Sequence, residues 1–145
     1  MIYTKDNPLK IGIVGSRKFQ SYSHIREFVF KLKEKFGKEN IEIVSGEQKQ
    51  GADGFAKRAA LEFDIRYVSF PPAHYNWNQH CIKEAYHYGK EYRPYYYFQR
   101  NTEIAEYSDM IVAFIPQGIK IHESKGTFDT YTKAKNLGKK VFIMN

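Results

Sequence analysis

Cysteine is nearly missing from this sequence: Cys81 is the only one in 145 residues. One thiol excludes an intramolecular disulfide and a cysteine-built zinc site, and it fits a reducing compartment such as the cytoplasm. No apolar run approaches the ~20 residues that a membrane span needs, so no membrane partner is expected. Residues Met1 to Lys10 carry charges and Pro8 but no apolar block, and no secretory signal is expected there. A G-x-G-x-x-G fingerprint and a G-x-x-x-x-G-K-[ST] loop are both missing. Neither the standard dinucleotide site nor a P-loop ATPase therefore follows. Repeats, low-complexity stretches and linkers are also lacking.

What is present suffices for one folded domain. The hydrophobic share of 42% can fill a core, and the length suits a single one. Lysine and arginine outnumber aspartate and glutamate by 23 to 16, for a net charge of +7. The seventeen lysines are scattered along the chain, as on a solvated surface. Their summed field still attracts an anion, whether nucleotide or nucleic acid. Aromatic residues reach 17%, with twelve tyrosines suited to interfaces and to stacking on bases.

The hydrophobic pattern alternates between two periods. Short β-branched runs at 10–15, 41–44, 65–70, 110–115 and 141–144 read as strands. Between them, Ile25, Phe28, Val29, Leu32 and Phe36 recur at helical spacing over 22–36, closed by Gly37. A second helix is expected at 52–63, with Ala56, Ala59 and Ala60 on its inner face, a third at 95–107 and a fourth at 127–137. The stretch 71–94 has no clean period and holds at most a short helix near 79–88. Strands alternating with helices predict an α/β fold: one doubly wound parallel sheet of about five strands in a single domain, 1–145.

In such sheets ligands bind beyond the C-terminal ends of the strands, where strand order reverses. Four turns fall on that edge. After the first strand come Gly15, Ser16 and Arg17: a sharp turn, a hydroxyl, and a fork of donors for phosphate or carboxylate. After the second come Ser45 and Gly46, then Gly51, Ala52 and Asp53 at the start of a helix, whose N-terminus suits an anion. Arg100 and Asn101 lie in the helix before the fourth strand. Ser124, Lys125, Gly126 and Thr127 precede the last helix, with Thr127 the candidate cap. Each turn also has a plain structural reading as a strand end, a cap or a surface ion pair. Their convergence on one edge favours a nucleotide-derived ligand.

In order and spacing, these four motifs resemble the SLOG superfamily, and its YspA-like branch most closely, over about residues 10–144. The resemblance implies a Rossmann-like fold that binds nucleotides or their derivatives. The superfamily's Lonely Guy phosphoribohydrolases, which cleave the N-glycosidic bond of nucleoside monophosphates, carry P-G-G-x-G-T-x-x-E before the last helix. Here Gly126 and Thr127 match, Ser124 replaces a glycine, and Thr130 stands in the place of the catalytic glutamate. Asp129 is the nearest carboxylate and the only catalytic candidate, and one residue along a helix turns it by about 100°. The DNA-processing protein A family, which binds single-stranded DNA, resembles the first half through Val14 to Arg17, Val44 to Gly46, and Gly51 to Asp53.

The segment 74–98 has no counterpart in that pattern and is crowded with rings, including Trp77 and Tyr95 to Phe98. It suits a lid that stacks a base, a subunit interface in a homo-oligomer, or plain core. His74, His80, Cys81 and His87 fit no standard metal spacing, so neither metal nor cofactor is expected. The displaced carboxylate favours a binder of a signalling nucleotide, such as an ADP-ribose derivative in a phage or immune setting. The alternatives are a nucleotide hydrolase and a single-strand DNA-binding protein.

Overall fold

A computed structural model describes residues 2–46, 48, 50–70 and 94–145, with the main chain alone at 94–96. The possible helix at 79–88, the histidine and cysteine candidates, and most rings of the 74–98 segment lie outside the described residues.

Five strands form one parallel sheet: β1 Leu9–Gly15, β2 Ile41–Ser45, β3 Arg66–Ser69, β4 Met110–Phe114 and β5 Lys140–Met144. Their spatial order is β3-β2-β1-β4-β5. The chain thus winds outward from β1 in one direction, returns, and winds outward in the other. The reversal lies between β1 and β4, where Ile13 pairs with Val112 and Gly15 with Phe114. A crevice opens beyond the C-terminal ends of strands at such a reversal.

The helices are α1 Tyr22–Phe36, α2 Gly51–Glu62, α3 Pro94–Tyr107 and α4 Lys125–Asn136. Side-chain alternation assigns each strand two faces, and both are covered. On one face Ile11, Ile13, Ile41, Ile43, Val112 and Phe114 pack against Ile25 and Val29 of α1 and four alanines of α2. On the other, Val14, Val44, Ile111 and Ala113 meet Ile104 and Ala105 of α3 and Ala134 of α4. The small inner face of α2 works as its sequence suggests: Ala52, Ala56, Ala59 and Ala60 are fully buried. This is the expected Rossmann-like α/β fold. Strand and helix ends differ from the sequence reading by one or two residues, as element ends usually do.

One difference matters for the site. The last helix starts at Lys125, not Thr127, with Ser124 at the cap position. The Phe128 N–H already reaches the Ser124 carbonyl, 2.8 Å away. Thr127 is therefore a buried residue of the first turn rather than its cap.

Candidate functional site

The sheet's C-terminal edge gathers two groups of sequence-selected residues, and the first turn of α2 links them. In the first group, Ser16 ties three elements with its main chain. Its N–H donates to Phe114 O at the end of β4, and its carbonyl accepts the Ala52 N–H of α2 at 3.3 Å. The Ser16 hydroxyl accepts the Lys18 N–H at 3.0 Å. Gly51 closes this contact: its φ is +70°, and a Cβ there would lie 2.3 Å from Ser16 O. Only glycine tolerates both demands. The α2 N-terminus is consequently less open than its sequence suggests, because the loop after β1 occupies one of its amides. Arg17 is exposed at the rim of this turn.

The second group is built on Arg100, only 6% exposed. Its Nη1 donates to Gly46 O at 2.6 Å, and its Nε donates to Asn101 Oδ1 at 2.9 Å. Gly46 has no side chain for a geometric reason. A Cβ there would come within 2.0 Å of Arg100 Nη1 and 3.0 Å of Asp53 Oδ2. Asp53, also buried, accepts the Gln48 N–H at 3.4 Å. The guanidinium also sits 5.6 Å from the centre of the Tyr97 ring, in cation–π range.

From Asn101 the network continues to α4. The amide Nδ2 donates to Asp129 Oδ2 at 3.1 Å and to Gly126 O at 3.3 Å. Lys133 Nζ donates to the same Asp129 oxygen at 2.9 Å and to Phe98 O at 2.9 Å. The candidate catalytic carboxylate is therefore held by an amide and an ammonium. Thr130, in the place of the glutamate, is buried and donates its hydroxyl to Gly126 O at 3.2 Å. Ser124 and Thr127 turn their hydroxyls to each other at 2.8 Å. Gly126 differs: it is exposed, and a Cβ on it would meet none of the described residues within 4 Å. Among the described residues, nothing covers the N-terminus of α4 at that point, and exposed Lys125 stands beside it.

Ser45 is fully buried, and its hydroxyl pairs with the phenol of Tyr67 on β3. Lys133 is a member of this network that sequence reasoning missed, while Tyr97 belongs to the ring cluster singled out above. Lys133 carried a signal, because it stands four residues after Asp129, a spacing that brings helix side chains together. Among the described residues, no cluster of histidine, cysteine and carboxylates could hold a metal ion.

Comparison with known proteins bears on this arrangement. The most similar solved structures include the molybdenum cofactor binding protein of the phototrophic bacterium Rippkaea orientalis, at 18% identity and a TM-score of 0.62. They also include the Moco carrier protein of Chlamydomonas reinhardtii, at 16% identity and a TM-score of 0.58. Each alignment covers 94% of this chain and 76% of the other. At such identity the likeness establishes the shared fold. No curated protein sequence matches the chain significantly. The family model of DNA recombination-mediator protein A matches residues 3–145. Taken with the sheet order and the motifs at its C-terminal edge, that match places the chain in the DNA recombination-mediator protein A family, within the SLOG superfamily.

Proposed function

We propose that this protein binds a small, phosphate-bearing, nucleotide-derived molecule at the C-terminal edge of the sheet and holds it without cleaving it. The observation that carries this reading is the engagement of Asp129. Its carboxylate accepts hydrogen bonds from Asn101 and Lys133, and no other carboxylate replaces the hydrolase glutamate on α4. A group tied in this way positions α3 against α4; it is poorly placed to protonate a leaving base. The anionic end of the ligand lies over Gly126, where the α4 N-terminus and Lys125 offer positive potential. Arg100 and Asn101 set the shape of that wall from beneath. Arg17 contributes from the rim, and Gly15, Gly46, Gly51 and Asp53 shape the turns that bring these groups together.

The finer reading is a sensor or sequestering protein for a signalling nucleotide such as an ADP-ribose derivative, acting in the cytoplasm as a homo-oligomer. Structural neighbours that bind the molybdenum cofactor support a small molecule as the ligand class. The donors of the described site are nitrogen and oxygen, which suit the anionic part of either ligand. A second reading, single-stranded DNA, draws on the family match and the net charge of +7.

Mass spectrometry of what the purified protein releases on denaturation tests all of these. An intact nucleotide derivative supports the proposal. Free base accumulating from added nucleoside monophosphates would make the protein a hydrolase. Release of molybdenum cofactor would move the ligand class. Submicromolar oligonucleotide binding at physiological salt, falling with a log–log slope near −0.7 per phosphate contact, would favour DNA.

A further inference from the structure

The outer face of the α1–α2 pair carries a row of rings with cations over them. On α1, Tyr22, Arg26, Phe30 and Lys33 recur at three- and four-residue steps, so they form one stripe along the side toward α2. The Arg58 guanidinium of α2 lies 3.9 Å from the centre of the Tyr22 ring. That of Arg26 lies 5.1 Å from the Phe63 ring, and Lys33 Nζ stands 5.4 Å from Phe63 and 5.8 Å from Phe30. The two phenylalanine rings are 5.7 Å apart, and Phe30 is 41% exposed. None of these residues belongs to the site at the C-terminal edge of the sheet.

The charges of this face are unequally spent. Glu62 accepts hydrogen bonds from the Tyr22 hydroxyl and from Arg26 Nε. Glu27 pairs with Lys31, and Asp64 with Lys38. Glu34, one residue past the row, is the acid of α1 with no ion pair among the described residues. Arg58 and Lys33, by contrast, lie over rings and form no ion pair among the described residues. A ring attracts a cation through its face and occupies none of the N–H donors that point away from it. Both side chains therefore keep donors for an acceptor from outside, and stacking already holds the Arg58 fork in place.

We propose that this row docks an acidic segment of a partner protein, extended, about five residues long, with a carboxylate toward each end and an apolar side chain between them. Tyr22 and Lys33 stand about 16 Å apart along the helix axis, the reach of such a segment. One carboxylate meets the Arg58 fork, the other meets Lys33, and the apolar side chain rests on the exposed surface of Phe30. Charge complementarity selects this partner: the row's own acids are engaged, its cations are not, and the chain carries a net charge of +7. Single-stranded nucleic acid fits less well, because Tyr22, Phe30 and Phe63 each already have a cation over the ring, and a base would have to displace it to stack.

The test titrates the isotope-labelled full chain at low salt with a pentapeptide blocked at both ends, four glutamates around a central phenylalanine, and with its glutamine counterpart. Saturable shifts concentrated on the amides of α1 and α2 are expected with the first peptide, weakening as salt rises, and none with the second. Arg58→Gln and Lys33→Gln should each weaken binding by about threefold to tenfold while the thermal melt stays unchanged. Lys140→Gln, which removes the same charge from an exposed position on β5, should weaken it by less than about twofold. Absence of saturable binding overturns the proposal. So does an equal loss with Lys140→Gln, which would reduce the effect to net charge. An oligothymidylate that shifts the same amides and binds more tightly than the acidic peptide also overturns it, and would make the row a nucleic-acid contact.

Discussion

At the N-terminal edge of the sheet, Glu42 is 4% exposed and closed on both sides. Arg66 Nη1 donates to one of its oxygens at 2.8 Å and the Tyr107 hydroxyl to the other at 2.5 Å. Lys139 Nζ caps the end of α3 by donating to the carbonyls of Glu106 and Ser108. Asp109 accepts the Lys10 N–H at 2.9 Å. Glu42 and Arg66 stand opposite each other in the β2–β3 ladder, and the end of α3 supplies the partners of Lys139. At the C-terminal edge, Arg100 and Asp129 are also bonded, but the network ends at exposed Gly126, which no other described residue covers. The same sheet thus has one end where charged groups close on one another and one end where the polar network reaches an exposed glycine.

Breaking the N-terminal edge should cost the most. Glu42→Ala leaves Arg66 and Tyr107 without their acceptor, and unfolding stability should fall by about 2–3 kcal/mol. That is below the usual range for a severed buried pair, because Arg66 is half exposed. Ligand affinity, measured by calorimetry below the melting range, should stay within about twofold. An equal loss of binding would show that the two ends are coupled.

The C-terminal edge should answer in the opposite way. Gly46→Ala forces a Cβ into the Arg100 guanidinium. The flexible side chain can retreat, so stability should drop by about 1–2 kcal/mol. Binding of the nucleotide derivative should weaken by about tenfold, as one charge-assisted contact is misplaced. Asp129→Asn keeps the Asn101 contact but loses the Lys133 ion pair; binding should change by threefold or less, in keeping with a partly exposed pair. If Asp129→Asn instead removed a measurable hydrolytic activity, the carboxylate would be catalytic.

Alkaline pH sharpens the comparison further. The Tyr107 phenol is pushed up to about 12 by burial and by its bond to Glu42, and Tyr22 likewise by burial and Glu62. Both hold their proton more tightly when folded than the ordinary value near 10. Their contribution is therefore complete below pH 10 and is lost as pH climbs from about 10 to 12. Denaturant midpoints should fall across that window, and Tyr107→Phe should flatten the fall while lowering stability at neutral pH.

The smallest effect is expected at Ser108, whose buried hydroxyl finds no partner among the described residues and sits against Gly12. Ser108→Ala removes an unsatisfied polar group from the core. It should leave stability unchanged or raise it by up to about 1 kcal/mol, measured by denaturant unfolding.

Periodicity and glycine placement were enough to determine the order of strands and helices, the two-sided burial of the sheet and the turns of its C-terminal edge. Val112, Phe114 and Ile111 read as a buried strand because an unbroken apolar run has nowhere else to go. The alanines of α2 announced close packing because small side chains permit it. Sequence alone also brought Arg100, Asn101, Gly126 and Asp129 into one list. Only the tertiary structure decided what each touches there. The partner of the Ser45 hydroxyl is Tyr67, which lies on another strand. Whether Asp129 is free to act depended on Asn101, 28 residues away along the chain. Whether Gly46 and Gly126 serve one purpose depended on what stands opposite them: a guanidinium for the first and none of the described residues for the second. Local pattern fixes which backbone a residue favours, since dihedral preference and hydrophobic period act over a few residues. The partner of a polar side chain is set by the crossing of distant elements, and no short window of sequence contains it.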